Sequence, residues 1–206
     1  MTSNEPDLTA ALAALQEGRV VAAATESFFG LLADVTRFDA LDLVFALKKR
    51  GPDKAVPLLL PQRASWLEVS PDIPEVALRL TEKAWPGPLT IALPAGPGVD
   101  PRLTLNGTVA VRMPGPSPAQ TLVERLGRPV TASSANLPGE PPAASSDEVS
   151  RIFADAVQSG ALFVLAGVAP GGKPSTLVRI LGDEVTIVRE GAIAESEIRA
   201  MEYAHR

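Results

Sequence analysis

Cysteine is absent from this 206-residue chain, and histidine occurs once, at His205. The first absence excludes disulfides, thiol catalysis and Cys-ligated metal. The second argues against Ser-His-Asp and Cys-His catalysis, and against zinc held by imidazole, because the one histidine stands beside the last residue, where chains commonly fray. Aromatic residues make up only 4% of the chain, so a core must be built from Ala, Val, Leu and Ile. No apolar run approaches the roughly 20 residues needed to span a bilayer. The first eight residues are polar and acidic, unlike a signal peptide, and a cytoplasmic protein with no membrane partner is expected. A formal net charge of -5 argues against broad coating of nucleic acid, while leaving room for a local basic patch.

What is present fits one globular domain over residues 1–206, with 46% hydrophobic and 21% charged residues. Against the acidic background one stretch stands out. In Leu47-Lys48-Lys49-Arg50-Gly51-Pro52-Asp53-Lys54, four cations fall within seven residues where an amphipathic segment meets a Gly-Pro stop. Cations at a helix C-terminus also simply complement the helix dipole, so this stretch alone does not decide.

Apolar spacing predicts helices over residues 7–16, 38–47, 73–85, 117–126, 146–159 and 195–203. Strands are predicted over residues 20–24, 56–60, 89–93, 108–113, 130–132 and 161–165, and residues 176–181 and 184–189 read as a hairpin about Gly182-Asp183. Residues 65–69 read as a short helical or irregular piece. This order predicts an α/β fold, an open twisted mixed sheet, mostly buried, with helices packed on it.

Polar clusters follow the predicted strands: Thr25-Glu26-Ser27, Arg112, Ser133-Ser134-Ala135-Asn136, Ser175-Thr176 and Arg189, with Lys48 to Lys54 at a helix end. Each has a plain structural alternative, such as helix capping or turn chemistry. Together they offer cations and hydroxyls with almost no general base, which suits binding and neutralising an anion such as a triphosphate. Gly167 to Ser175 nearly matches a P-loop, but Pro174 stands where Ser or Thr should ligate Mg²⁺, and a strand follows instead of a helix. A Ser-Lys hydrolase rests only on abundant Ser near Lys.

In this order the clusters resemble the YrdC-domain family, and within it the single-domain bacterial, TsaC-like L-threonylcarbamoyladenylate synthases. The matching stretches are Ala24-Thr25-Glu26-Ser27-Phe28-Phe29-Gly30, Lys48-Lys49-Arg50, Trp85-Pro86-Gly87-Pro88-Leu89-Thr90, Val109 to Pro114, Ser134 to Glu140, Pro174-Ser175-Thr176 and Val188-Arg189-Glu190-Gly191. The resemblance implies an open fold with a basic ligand groove. It implies that ATP, L-threonine and bicarbonate give threonylcarbamoyl-AMP and pyrophosphate, towards the t⁶A modification of tRNA. Lys48 and Arg50 would be catalytic and hold the triphosphate, with Lys49 between them pointing elsewhere. Thr25 would contact threonine, beside Phe29. Arg112 would bind the carboxylate or carbamoyl group, and Ser175 would lie close to it and to the phosphates. Ala132, Ser134, Asn136 and Arg189 would line the nucleotide site. Mg²⁺ would accompany ATP, with no metal site on the protein itself. Double-stranded RNA or tRNA, and the proteins of the later t⁶A-transfer step, would be further partners. The larger relatives carry a C-terminal domain for which this chain has no room.

The chain departs from the family pattern at Ala24 (Pro), Ser27 (Thr), Phe29 (Tyr) and Gly51 (Pro), which bears on the choice of amino acid more than on ATP. Two other readings follow: a non-catalytic YrdC-like module that binds double-stranded RNA in ribosome maturation, and a paralogue acting on a different carbamoyl or amino-acid substrate.

Overall fold

The computed structural model describes residues 5–49 and 56–203. Arg50, Lys54 and His205 therefore lie outside the described residues. The first helix, α1 (Glu5–Gln16), leads into β1 (Val20–Ala24), a strand of small apolar residues buried along its whole length. Then come β2 (Phe29–Leu32), α2 (Phe38–Lys48), β3 (Leu58–Leu59), α3 (Glu75–Ala84), β4 (Leu89–Pro94), β5 (Thr104–Leu105) and β6 (Thr108–Arg112). The last third holds α4 (Pro118–Leu126), β7 (Val130–Thr131), β8 (Ser133–Ser134), α5 (Ser146–Ile152), α6 (Ala154–Gln158), β9 (Leu162–Val164), β10 (Thr176–Leu181), β11 (Glu184–Arg189) and α7 (Glu195–Glu202).

Strand β1 shows why the first half folds as it does. Side chains alternate across a strand. Val21 and Ala23 join a cluster with Ala11, Ala14 and Leu15 of α1 and with Leu122 and Val123 of α4. Val20, Ala22 and Ala24 join another with Ala40 and Val44 of α2 and with Val149 of α5. Helices cover both faces, so the strand has no polar position. The larger core lies around β4, β6 and β10, covered by Val76 and Leu80 of α3 and by Ile198 of α7. Trp66 and Trp85 pack there at 5.6 Å between ring centroids.

The open mixed sheet expected from the sequence is present, divided into two. The smaller sheet runs β8-β2-β1-β9, with β1 antiparallel to β2 and parallel to β9. The larger runs β11-β10-β4-β6-β3-β7, with β4 parallel to β10 and antiparallel to β6. One short segment belongs to both. Residues 130–131 pair with β3 in the larger sheet, and Ser133 and Ser134 pair with β2 in the smaller. Buried Thr131 fastens the seam: its Oγ1 donates to the Leu31 carbonyl at 3.0 Å and accepts from Ala33 N–H at 2.9 Å. Ala132, Ser133 and Ser134 of this seam line a groove.

Several local expectations shift. Strand β2 has no counterpart in the sequence reading; it turns straight back on β1, pairing Phe29 with Ala24. The helix expected over residues 146–159 breaks at Phe153 into α5 and α6, and its cap is Ser145, whose Oγ accepts from Glu148 N–H at 3.2 Å. The strand expected over residues 56–60 contracts to Leu58–Leu59. Pro74 stands just outside α3 as its N-cap. Helix α4 forms as its sequence demands, with Ser117 Oγ accepting from Gln120 N–H and Gly127 closing the C-terminus at φ 70°. Among the described residues, no helix is long and apolar enough to cross a membrane.

Candidate active site

The groove has a volume of about 470 Å³. Its lining brings together residues that the sequence scatters over most of the chain: Thr25 and Phe29 from the β1–β2 turn, Lys48 and Lys49 from the end of α2, Arg112 from the end of β6, Ala132, Ser134 and Asn136 from the seam, and Ser175 and Arg189 from the last hairpin. Thr90 and Leu177 complete one wall. Every described residue that the sequence reading assigned to the site lines this groove. Arg50 lies outside the described residues.

At the end of α2, Lys48 is 6% exposed. Its Nζ donates to the Ser134 carbonyl at 2.6 Å, the Asn136 carbonyl at 2.5 Å and Asn136 Oδ1 at 2.7 Å. An ammonium group has three protons, and these acceptors match them in number. Lys48 therefore ties the helix end to the turn after β8 and brings its charge to the groove wall. Asn136 is also fixed from its other side, with Nδ2 donating to the Leu137 and Glu140 carbonyls. Ser134 Oγ donates to Asn136 Oδ1 at 2.6 Å, so its proton is engaged with the amide oxygen. Lys49 adopts a left-handed conformation at φ 44° as the α2 C-cap, which ends the helical progression; it is exposed and stands among the residues that line the same groove.

Thr25 serves the turn. Its Oγ1 donates to the Phe28 carbonyl at 2.8 Å and accepts from Ser27 N–H at 3.2 Å. Phe29 is 1% exposed and packs in the smaller sheet's core. A departure from the expected Tyr at this position therefore concerns a largely buried ring.

Arg112 and Arg189 line the groove near each other. Arg112 Nη1 donates to Glu26 Oε1 at 2.6 Å. Burial pushes the Arg112 pKa down; the Glu26 carboxylate raises it and nearby Arg189 lowers it further. Burial also pushes the Arg189 pKa down. Both guanidinium groups remain charged, because an arginine starts so far above neutral pH. Arg189 Nη2 donates to the Ser175 carbonyl at 2.8 Å, and Ser175 and Thr90 share a hydroxyl hydrogen bond of 2.8 Å. Among the described residues, the lining thus carries four cations and no carboxylate, on a chain of net charge -5. No three carboxylate or imidazole side chains among those residues lie together as a metal seat.

The glycine-rich loop before Ser175 feeds β10, so it is not a P-loop; Gly171 N–H donates to the Ser27 carbonyl and packs the loop against the β1–β2 turn. Ser175 is held in place from the other side by Gly191. A Cβ at residue 191 would overlap the Pro174 carbonyl oxygen and stand 2.7 Å from that of Ser175, both backbone atoms. Gly191→Ala is expected to destabilise the protein by about 2 kcal/mol, as overpacking does. The measurement is urea unfolding. Stability unchanged within a few tenths of a kcal/mol would refute the close approach.

The sequence reading missed Thr90 and Glu26 as site residues. Thr90 had a signal, since it closes the Trp85-Pro86-Gly87-Pro88-Leu89-Thr90 stretch as the second residue of β4. Glu26 stands inside the Thr25-Glu26-Ser27 cluster, but nothing in the sequence pairs it with Arg112.

The family described as Telomere recombination (Sua5/YciO/YrdC) matches residues 13–191. The threonylcarbamoyl-AMP synthase of Bacillus subtilis is 31% identical over 98% of this chain and 58% of its own length. That of Photobacterium profundum is 31% identical over 90% of this chain and 99% of its own length. Among solved structures, that of P. abyssi Sua5 complexed with L-threonine superposes with a TM-score of 0.87 at 30% identity, covering 96% of this chain and 58% of that one. The chain thus spans little more than half the length of some relatives and nearly all of others. The family match, the shared fold and the converging site residues lead to one conclusion: this chain belongs to the Sua5/YciO/YrdC family.

Proposed function

We propose that the chain is an L-threonylcarbamoyladenylate synthase, a nucleotidyltransferase that makes threonylcarbamoyl-AMP and pyrophosphate from ATP, L-threonine and bicarbonate in the cytoplasm, for t⁶A formation in tRNA. The observation that carries this reading is the groove lined by Lys48, Lys49, Arg112 and Arg189, with no carboxylate among the described residues of its walls. Relatives named threonylcarbamoyl-AMP synthase, at about one-third identity, give the class of substrate.

In the reaction, the threonine amine and bicarbonate give a carbamate and water. A carbamate oxygen then attacks the α-phosphorus of ATP, and the bond to the bridging oxygen of pyrophosphate breaks. Negative charge grows on the phosphate and pyrophosphate oxygens. Fixed cations in a partly buried groove stabilise that charge without reorganising. Arg189 is anchored through Ser175, and Lys48 through the seam, so both charges are set before the substrates arrive. The planar fork of Arg112 suits a carboxylate. Mg²⁺ would be carried on the triphosphate, because the site offers cations and hydroxyls rather than carboxylate ligands. A cleft of this size fits small molecules better than an RNA duplex.

The test is pyrophosphate release by the purified protein with ATP, bicarbonate and each of a panel of amino acids. Release that requires threonine, and that Arg50→Ala abolishes, is expected. Release driven by another amino acid would move the protein to a paralogous reaction. No turnover, with salt-dependent binding of double-stranded RNA, would replace the enzyme by a binding module.

A further inference from the structure

The ion pair between Arg112 and Glu26 has an unusual form. The two side chains are 9% and 19% exposed, and Arg112 Nη1 meets Glu26 Oε1 at 2.6 Å. Glu26 Oε2 is buried and has no hydrogen-bond partner among the described residues. Arg112 makes no other side-chain hydrogen bond among those residues, although its guanidinium has five donors. A pair shaped for stability alone would engage the fork and both carboxylate oxygens. Here one N–H holds the arginine, and the rest of the guanidinium is left for a ligand in the groove that it lines.

The pair also grades the charge along its wall. Glu26 offsets Arg112, while neighbouring Arg189 has no carboxylate partner among the described residues and is held by Ser175 instead. The Arg112 position is therefore closer to neutral than the Arg189 position. We propose that Glu26 is a specificity-determining residue: it holds Arg112 and cancels enough of its charge that this position takes the single carboxylate of an amino acid, and leaves the phosphates to Arg189 and the cations beyond it. The assignment of the two positions rests on the synthase reading above.

Glu26→Gln separates charge from shape. The amide oxygen can still accept from Arg112 Nη1, so a purely structural role survives the change. The lost negative charge does not, and Arg112 becomes a second phosphate site. Titration calorimetry with pyrophosphate alone should show binding tightened about five-fold, because one negative unit charge a few ångströms away is removed in a partly buried site, and the KM for threonine at saturating ATP should rise about ten-fold, because the triphosphate then competes for Arg112. High ATP should also begin to inhibit the variant. The Glu26→Gln/Arg112→Gln double variant restores a neutral pair and should bind pyrophosphate within about two-fold of wild type on the same argument. A folded Glu26→Gln variant with wild-type pyrophosphate affinity and threonine KM overturns the proposal. So does a double variant that has lost pyrophosphate, since Arg112 would then be a phosphate ligand; this arm stands even where Glu26→Gln alone does not fold. The pyrophosphate titrations need no turnover. A wild-type protein without threonine-dependent release would sink the synthase reading and still leave the grading of charge measured.

Discussion

Arg112→Met is expected to lower threonine-dependent pyrophosphate release by about 1,000-fold or more and to destabilise the fold by about 3 kcal/mol. The two losses have different origins. The stability loss comes from the residue left behind. With the guanidinium gone, the Glu26 carboxylate remains inside the protein, with its Oε2 already unpartnered and its Oε1 newly so among the described residues. An uncompensated buried charge is worse than no charge, which is why breaking such a pair costs more than removing it. The double variant Glu26→Met/Arg112→Met should therefore recover most of the stability. It should recover none of the activity, because the donor that faces the substrate is still missing. Urea unfolding and pyrophosphate release on the wild type, the two single variants and the double variant test this directly, and the interaction energy of the cycle reports the pair. A double variant no more stable than Arg112→Met would show that Arg112 stabilises the fold by something other than its partner. Activity retained in either arginine variant would remove Arg112 from the site.

The parts of this fold that were legible in the sequence are those fixed by local rules. Helix α4 carries its own start and stop in Ser117, Pro118 and Gly127, and the β10–β11 hairpin carries its turn in Gly182-Asp183. Strand β1 has five apolar residues and nothing polar, and only a strand buried on both faces tolerates that. Strand β2 was hidden because Thr25-Glu26-Ser27 reads as a cap for a following helix. Its actual use is a tight return, in which Thr25 Oγ1 bonds the Phe28 carbonyl and lets the chain double back on β1. The division into two sheets was hidden for a different reason. It depends on residues 130–134 changing sheets within a few positions, and no propensity or period records which neighbour a short strand pairs with.

The site was legible as a set of residue types and illegible as a set of contacts. Cations and hydroxyls after strands pointed to an anion, and the groove gathers them. The partners were out of reach because they are remote in sequence: Lys48 meets Ser134 across 86 positions, and Arg112 meets Glu26 across the same number. Lys49 shows the limit of spacing arguments. A K-x-R spacing turns the middle residue away from its neighbours only in an extended segment, where side chains alternate, and here Lys48 ends a helix with Lys49 in a left-handed cap.

That same helix end sets up the second large effect. Lys48→Met is expected to destabilise the protein by about 2–3 kcal/mol, since hydrogen bonds from a charged donor contribute roughly 1.5–3 kcal/mol and their losses are not additive. Methionine replaces the length of the stem but leaves the Ser134 carbonyl, the Asn136 carbonyl and Asn136 Oδ1 without their donor. Asn136 Oδ1 retains Ser134 Oγ, so the turn loosens rather than unfolds. Amide hydrogen exchange over residues 134–140 should rise in the variant while β1 and β4 stay protected. Activity should fall about 100-fold or more, the scale at which loss of one preorganised charge is felt. Lys48→Arg discriminates the two roles that one ammonium fills here. A planar fork supplies charge as well as lysine does, but it cannot send three protons to acceptors converging on a single nitrogen. If Lys48 acts on phosphate by charge alone, Lys48→Arg keeps both stability and exchange protection. If it acts by holding the seam turn, Lys48→Arg resembles Lys48→Met in exchange and stability. The hydrogen bonds favour the second outcome, in which Lys48 is a positioning residue for Ser134 and Asn136 whose charge also reaches the groove.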